Sequence, residues 1–363
     1  MDIPSLPVSL LSISITGLGL ILLVPFIMGF FRKSKFEVKG KTILITGASE
    51  GMGRSAAIQL AAKGANVIIV SRNVPRLEGA LDDVKAAALN PESQFFHYIS
   101  ADLATPGASA SVVEKAKAFN NGVAPDSVWC IAGASTPMLF LDADLPMMRA
   151  QMGLNYWAAT EMAHAILGEW LKPTSNSSSG AATSGTPRKT HHLIFTSSVL
   201  AVYPIMGYAP YSPTKAAIRS LSDTLAQEML LYQAPCPEVK IHTVLPGTIT
   251  SPGFERENKT KPAITLELES SDPEQTPEEV AAKSIAGLEN GEYLITVGWL
   301  GTLMRGLAWG SSSKNNTLWD LLVTWVAAII GVFIGMDLNG KVKAYGKKHG
   351  HPQFYDKSAR KSV

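Results

Sequence analysis

The chain has 363 residues, of which 46% are apolar and 17% charged, with a formal net charge of +2. That length suits one large α/β domain or two smaller ones, and the near-neutral balance gives no electrostatic footing for nucleic-acid binding. Two cysteines, Cys130 and Cys236, are too few for a disulfide framework and match no zinc-ligand spacing, so a reduced domain facing the cytosol, with no metal, is expected.

The first element in chain order is the charge-free run from Val8 to Phe31, "VSLLSISITGLGLILLVPFIMGFF". It exceeds the ~20 residues needed to cross a bilayer. Arg32, Lys33 and Lys35 follow it, whereas a signal peptide carries its positive charge before the apolar run. Residues 1–35 are therefore expected to form a retained membrane anchor, with the chain beyond it in the cytosol.

From residue 36 to 292 short β-rich runs alternate with helical stretches. "KTILIT", "NVIIVS", "QFFHYISADL", "SVWCIAG", "HHLIFTSS" and "VKIHTVLPG" predict six strands of a Rossmann-type, doubly wound parallel α/β sheet. Residues 173–190, "PTSNSSSGAATSGTPRKT", have no apolar face to pack and predict a flexible surface insertion. Asn176, Asn258 and Asn315 lie in glycosylation sequons, which a cytosolic domain would leave unused. A segment over 293–340 is expected to associate with the membrane. It contains "YLITVGWLGTLMRGLAWG", interrupted by Arg305, and the apolar run Leu318–Met336, with Asp320 near its start. A span, a hairpin and an interfacial helix all fit this pattern. A basic tail over 341–363 ends the chain.

"TGASEGMG" follows the first strand and opens a helix, the context a dinucleotide-binding loop requires. Gly47 permits the tight turn, and Gly51 and Gly53 let backbone approach a pyrophosphate at the helix N-terminus. Ser49 joins them as a cofactor-binding candidate, and Glu50 is expected to point away from the phosphates. The second strand ends in Ser71, where an NAD site usually carries an acidic residue, and Arg72 follows. A guanidinium there suits a 2′-phosphate, so NADP(H) is the expected cofactor.

"TGASEGMG", "ADL" at 101–103, "TSS" at 196–198 and "YSPTK" at 211–215 together resemble the short-chain dehydrogenase/reductases over about residues 40–290. The resemblance implies a catalytic tetrad of Asn155, Ser198, Tyr211 and Lys215. Tyr211 would protonate a ketone oxygen, Ser198 would hold that oxygen, and Lys215, with the positive charge of the oxidised nicotinamide, would lower the pKa of Tyr211 and would hold the nicotinamide ribose. Asn155 would organise Lys215. Ser197 is the neighbouring competitor of Ser198, and strand alternation turns the two apart. Pro213 restricts "YSPTK" to the first turn of a helix. Asp102 would contact adenine, Gly133 in "CIAG" would permit close backbone approach, and Thr250, with Thr248 as its rival, would hold the carboxamide. His191 and His192 are expected to face opposite ways. Met138, Met147, Met148, Met152 and Met206 either line an apolar channel or fill core gaps.

The segment "TSPGFERENKTKPAITLELE" and the two apolar ends are similar to the fungal 3-ketodihydrosphingosine reductases. That similarity implies NADPH-dependent reduction of a long-chain lipid ketone, 3-ketosphinganine, at the endoplasmic reticulum membrane with the catalytic domain facing the cytosol. The terminal "RKSV" resembles a dilysine-type retrieval signal. Glu255 or Glu257 would meet the substrate's ammonium, unless both are ordinary solvated carboxylates. Family resemblance implies dimers or tetramers. A reductase of 3-ketoacyl-CoA or of a steroid would share the tetrad, and a non-catalytic NADP-binding scaffold would share the glycine loop.

Overall fold

A computed structural model describes residues 35–173, 188–233, 235–352 and 355. The expected N-terminal anchor, most of the 173–190 insertion with Asn176, and the terminal "RKSV" lie outside the described residues.

Apolar and β-branched runs form seven parallel strands: β1 (Thr42–Thr46), β2 (Asn66–Ser71), β3 (Phe96–Ser100), β4 (Ser127–Cys130), β5 (Thr190–Thr196), β6 (Glu238–Leu245) and β7 (Leu294–Thr296). They are ordered β3-β2-β1-β4-β5-β6-β7. Because side chains alternate along a strand, each strand feeds two cores. Ile43, Ile45, Val67 and Ile69 pack on one face with Leu60 of α1 (Gly51–Ala62), Leu77 of α2 (Val74–Ala86) and Ile285 further along the chain. Leu44, Ile68, Val128 and Phe195 pack on the other with Val112 of α3 (Ala108–Phe119) and Ile166. The strand order reverses between β1 and β4, which leaves a crevice at the carboxyl ends of the strands, where an open α/β sheet binds its ligand.

The helices that shape this crevice come later in the chain. α4 (Leu145–Met152) runs through a π-helical stretch, Gly153–Trp157, into α5 (Ala158–Trp170). α6 spans Ser212–Glu228, and the short α7 (Pro252–Asn258) and α8 (Ala263–Glu269) follow β6. α9 (Pro277–Asn290) opens with a capping box between Thr276 and Glu279 and stops at Gly291, whose φ of 70° suits glycine.

The seventh strand corrects the expected six. Leu294–Thr296 pairs in register with Thr243–Leu245, so the sheet continues into what reads in sequence as the start of a membrane-associated segment. Three residues are too few to show a strand's alternation. Asn315 helps secure this edge. Its Oδ1 accepts the N–H groups of Tyr293 at 2.9 Å and Leu294 at 3.2 Å, and its Nδ2 donates to the Leu294 carbonyl at 2.7 Å. The sequon there is a structural amide.

Beyond β7, α10 (Trp299–Leu307) folds back along α11 (Thr317–His349), one continuous helix of 33 residues. α11 is the one helix among the described residues long and apolar enough to cross a membrane. The two charges that interrupt these apolar runs meet inside the protein: Arg305 Nη2 lies 3.1 Å from Asp320 Oδ1, and both side chains are buried. Val323 and Ala327 of α11 are buried, while Leu318, Trp325, Ile329 and Phe333 are exposed.

Candidate active site

The "YSPTK" stretch becomes the N-terminus of α6. Tyr211 is its N-cap residue and Pro213 sits in the first turn, where a missing N–H costs nothing. One helical turn then puts Lys215 on the face of Tyr211, with Nζ 5.7 Å from the ring centre. Lys215 is buried and donates to the Thr196 carbonyl at 2.9 Å. Desolvation brings its ammonium down to about 8.

Ser197 and Ser198 leave β5 in opposite directions and do different work. Ser197 Oγ donates to the Lys215 carbonyl at 2.7 Å, locking strand to helix. The Ser198 hydroxyl lies near enough to the Tyr211 phenol to lower its pKa and accepts the Leu200 N–H at 3.1 Å. The Tyr211 phenol feels three influences. Burial pushes its pKa up, the Glu257 carboxylate adds to that, and only Ser198 pulls it down. Tyr211 is thus held protonated in this structure.

Asn155 lies in the π-helical stretch and is fully buried; such stretches often mark functional positions. Its Oδ1 accepts from Ala134 N at 2.9 Å, and its Nδ2 donates to the Ala134 carbonyl at 3.0 Å and to Thr214 Oγ1 at 3.1 Å. A Cβ on Gly133 would stand 2.9 Å from Asn155 Oδ1 and 3.3 Å from Lys215 Nζ. Only glycine fits between amide and ammonium. Thr214, which anchors Asn155, carries no motif of its own beyond its place in "YSPTK".

Gly133, Ser198, Tyr211 and Lys215 line a cavity of about 860 Å³ that the glycine loop also lines, with Asn155 and Thr214 buried behind them. Gly47 has a φ of 69°, and a Cβ there would lie 2.7 Å from Ala132 backbone. A Cβ on Gly53 would strike the Gly47 carbonyl. The loop is therefore wound tightly enough for the N-terminus of α1 to face an anion. Ser49 Oγ pairs with Ser71 Oγ at 2.9 Å. Arg72 is 62% exposed and lies 3.8 Å from Asp102 at the cavity's rim. Glu50 is turned to two cations, 2.7 Å from Arg76 and in contact with Arg256. In "CIAG" the Ile131 and Ala132 N–H groups both donate to Thr46 Oγ1, and burial pushes the Cys130 thiol up to about 12, leaving it inert.

Thr248 lines the cavity. Thr250 is exposed, and its hydroxyl donates to the Gln275 carbonyl at 3.2 Å, because the bridge between Ile249 and Gln275 turns it outward. Of the two rivals, Thr248 is the one on the cavity wall. The five candidate methionines do not line the cavity. His191 and His192 do face opposite ways: His191 stacks on Trp170, and His192 pairs with His242 at 3.0 Å.

A family profile described as short chain dehydrogenase matches residues 41–262. The chain belongs to the short-chain dehydrogenase family. This dehydrogenase is 50% identical over 332 residues to a 3-ketodihydrosphingosine reductase of Neurospora crassa, covering 91% of its own length and 89% of the relative's. It is 43% identical to another of that name from Aspergillus fumigatus, over 96% of each chain. Among solved structures, a short-chain dehydrogenase of Sphingobium yanoikuyae in complex with NADPH superposes with a TM-score of 0.56 at 21% identity, covering 71% of this chain and 88% of that one. L-Sorbose reductase of Gluconobacter frateurii, complexed with NADPH and L-sorbose, superposes with a TM-score of 0.57 at 23% identity, over 73% and 98%. Family membership makes the protein an oxidoreductase using a nicotinamide cofactor, and the crevice fits one: a tight glycine loop and, lining the same cavity, a half-buried tyrosine beside a buried lysine.

One polar cluster of this dehydrogenase is hidden in the sequence. Tyr208 Oη donates to Glu257 or Glu269, at 2.6 and 2.7 Å. Lys261, 1% exposed, lies 3.3 Å from Glu257 and 2.7 Å from Glu269. Glu257 and Glu269 line the cavity, whereas Glu255 is exposed. The only local signal is the i,i+4 pair Glu257–Lys261, which on a helix usually means a surface ion pair.

Proposed function

We propose that the protein reduces the 3-keto group of 3-ketosphinganine to the alcohol of sphinganine, with NADPH as reductant. The observation that carries this is the 43–50% identity, over nine-tenths of the chain, to two proteins named 3-ketodihydrosphingosine reductase. The tetrad geometry supports it. Ser198 would hold the ketone oxygen beside Tyr211, Tyr211 would give that oxygen its proton, and the Lys215 ammonium would offset the charge left on the phenol. Asn155 would keep Lys215 in place across Gly133. When bound, NADPH supplies the hydride, which goes to the carbonyl carbon. The carbon gains a hydride, the oxygen gains a proton, and NADP⁺ and a secondary alcohol result. Gly47, Ser49, Gly51 and Gly53 would cradle the pyrophosphate, Arg72 the 2′-phosphate, Asp102 the adenine, and Thr248 the carboxamide.

The apolar run at residues 8–31 and α11 support attachment to a membrane, which we assign to the endoplasmic reticulum with the active site facing the cytosol.

Purified full-length protein given NADPH and 3-ketosphinganine is expected to yield sphinganine by mass spectrometry. Tyr211→Phe is expected to lower kcat by ~10²–10⁴-fold while NADPH still binds. A fully active variant would remove Tyr211 from its role, equal use of NADH would remove the role of Arg72, and no product from the wild type would overturn the substrate.

A further inference from the structure

The catalytic cavity does not end at the tetrad. Past Tyr211 and Ser198 its wall passes to α10 and α11, through Leu303, Met304 and Leu307 of the first and Ile330, Ile334 and Leu338 of the second. α10 is seated against the catalytic turn: a Cβ on Gly301 would lie 3.2 Å from Val199, the residue after Ser198. Thr302 Oγ1, one residue on, pairs with Thr296 Oγ1 of β7 at 2.8 Å. The two helices approach closely, since a Cβ on Gly331 would lie 2.8 Å from the Leu307 side chain. The cleft is lined mostly by apolar side chains, with the Asp337–Lys341 ion pair of α11 also on its wall; it starts one residue from the group that holds the ketone oxygen and has as its outer wall the helix with the composition of a membrane span.

We propose that the cleft between α10 and α11 receives the saturated alkyl chain of the substrate, so that a lipid reaches Tyr211 along α11 without its tail passing through water. The proposal rests on the lipid ketone assigned above and adds which elements read its chain. An aqueous pocket for a short ketone would not need a wall continuous with an apolar helix. Here the catalytic face is polar and the far wall is mainly aliphatic apart from Asp337 and Lys341, close to the division found in a long-chain 3-keto lipid. Trp299 and Trp325, both exposed on these helices, are suited to a headgroup boundary.

The test compares homologous 2-amino-3-ketones of short and long chain on full-length protein in detergent. Wild-type kcat/KM is expected to rise by about fourfold per methylene received by the cleft, from the transfer energy of a CH₂ group. Leu303→Trp and Ile334→Trp, which fill the cleft, are expected to abolish that rise while short-chain turnover and NADPH binding stay near wild type. Should either bulky variant fail to bind NADPH, Leu303→Ala and Ile334→Ala, which widen the cleft, are expected to reduce the gain per methylene. A wild-type chain-length profile in the variants would overturn the proposal and mean that another apolar segment or a bilayer lipid fills the cleft. A wild type indifferent to chain length would also overturn it. Failure of the wild type on every amino ketone would instead overturn the substrate, and the occupant of the cleft with it.

Discussion

At the scale of single residues, the site works because burial sets two proton affinities in useful directions. Tyr211 is pushed up and stays a phenol; Lys215 is brought down to about 8. On the proposed roles, a reductive turnover would leave negative charge on Tyr211, and an ammonium beside it would offset that charge only while protonated. A lysine with a lowered pKa loses its proton on the alkaline side of that value. Reductive kcat is therefore expected to fall as pH rises through about 8, with a plateau on the acid side. Single-turnover rates with saturating NADPH between pH 6 and pH 10 would show this, and a flat profile would exclude Lys215 as the charge that matters. Much of this was legible beforehand, because Tyr211, Lys215, Ser198 and Asn155 sit in motifs. Thr248 and Thr250 were not separable, since two threonines in one loop differ only by the turn that the Ile249–Gln275 bridge imposes.

At the scale of elements, the glycine loop illustrates how local geometry becomes affinity. Gly53 lies in the first turn of α1, and a methyl group there would collide with the Gly47 carbonyl and stand 2.9 Å from Ala48 Cα. Neither contact is a flexible side chain, so the loop itself must move. Gly53→Ala is expected to weaken NADPH binding by at least about tenfold, or ~1.4 kcal/mol. Gly79→Ala in α2 is the matched control. Nothing lies within 4 Å of its Cβ position, and alanine there is expected to stabilise the fold by up to ~1 kcal/mol without touching affinity. Fluorescence titration with NADPH alongside thermal unfolding would separate the two; equal affinities would show that the loop tolerates the methyl group. The six longer strands could be read from β-rich runs between turn signals, and the loop from its position after β1. β7 could not, because it is three residues long and its neighbours are apolar for another reason, the packing of α10.

At the scale of the whole molecule, the question is what fastens α11, a helix of 33 residues, to a Rossmann domain. The answer lies in two charges that in sequence look like flaws. Arg305 donates from Nη1 to the Leu294 carbonyl of β7 at 2.7 Å and from Nη2 to Asp320 at 3.1 Å, and its guanidinium lies 4.9 Å from the Trp309 ring centre. Asp320 in turn accepts the N–H groups of Asn315 at 2.8 Å and Asn316 at 3.1 Å at the start of α11. Sheet edge, α10 and α11 therefore meet at one buried ion pair. Their fifteen-residue separation and the intervening turn hide the pairing from any local pattern. Removing one partner strands a desolvated charge, which costs about 3–5 kcal/mol, whereas removing both leaves an apolar contact that is often neutral. Asp320→Ala is thus expected to loosen α10 and α11 from the sheet, seen as faster proteolysis in the 308–316 connection and a lower unfolding temperature. The double variant Arg305→Met, Asp320→Leu is expected to recover most of that loss. The recovery is the informative outcome: a double variant as damaged as the single one would mean that the pair holds the helices by its specific geometry, and that neutrality alone is not enough. Long-chain turnover should track the proteolysis, because the cleft for the alkyl chain exists only while α10 and α11 stay docked beside Ser198.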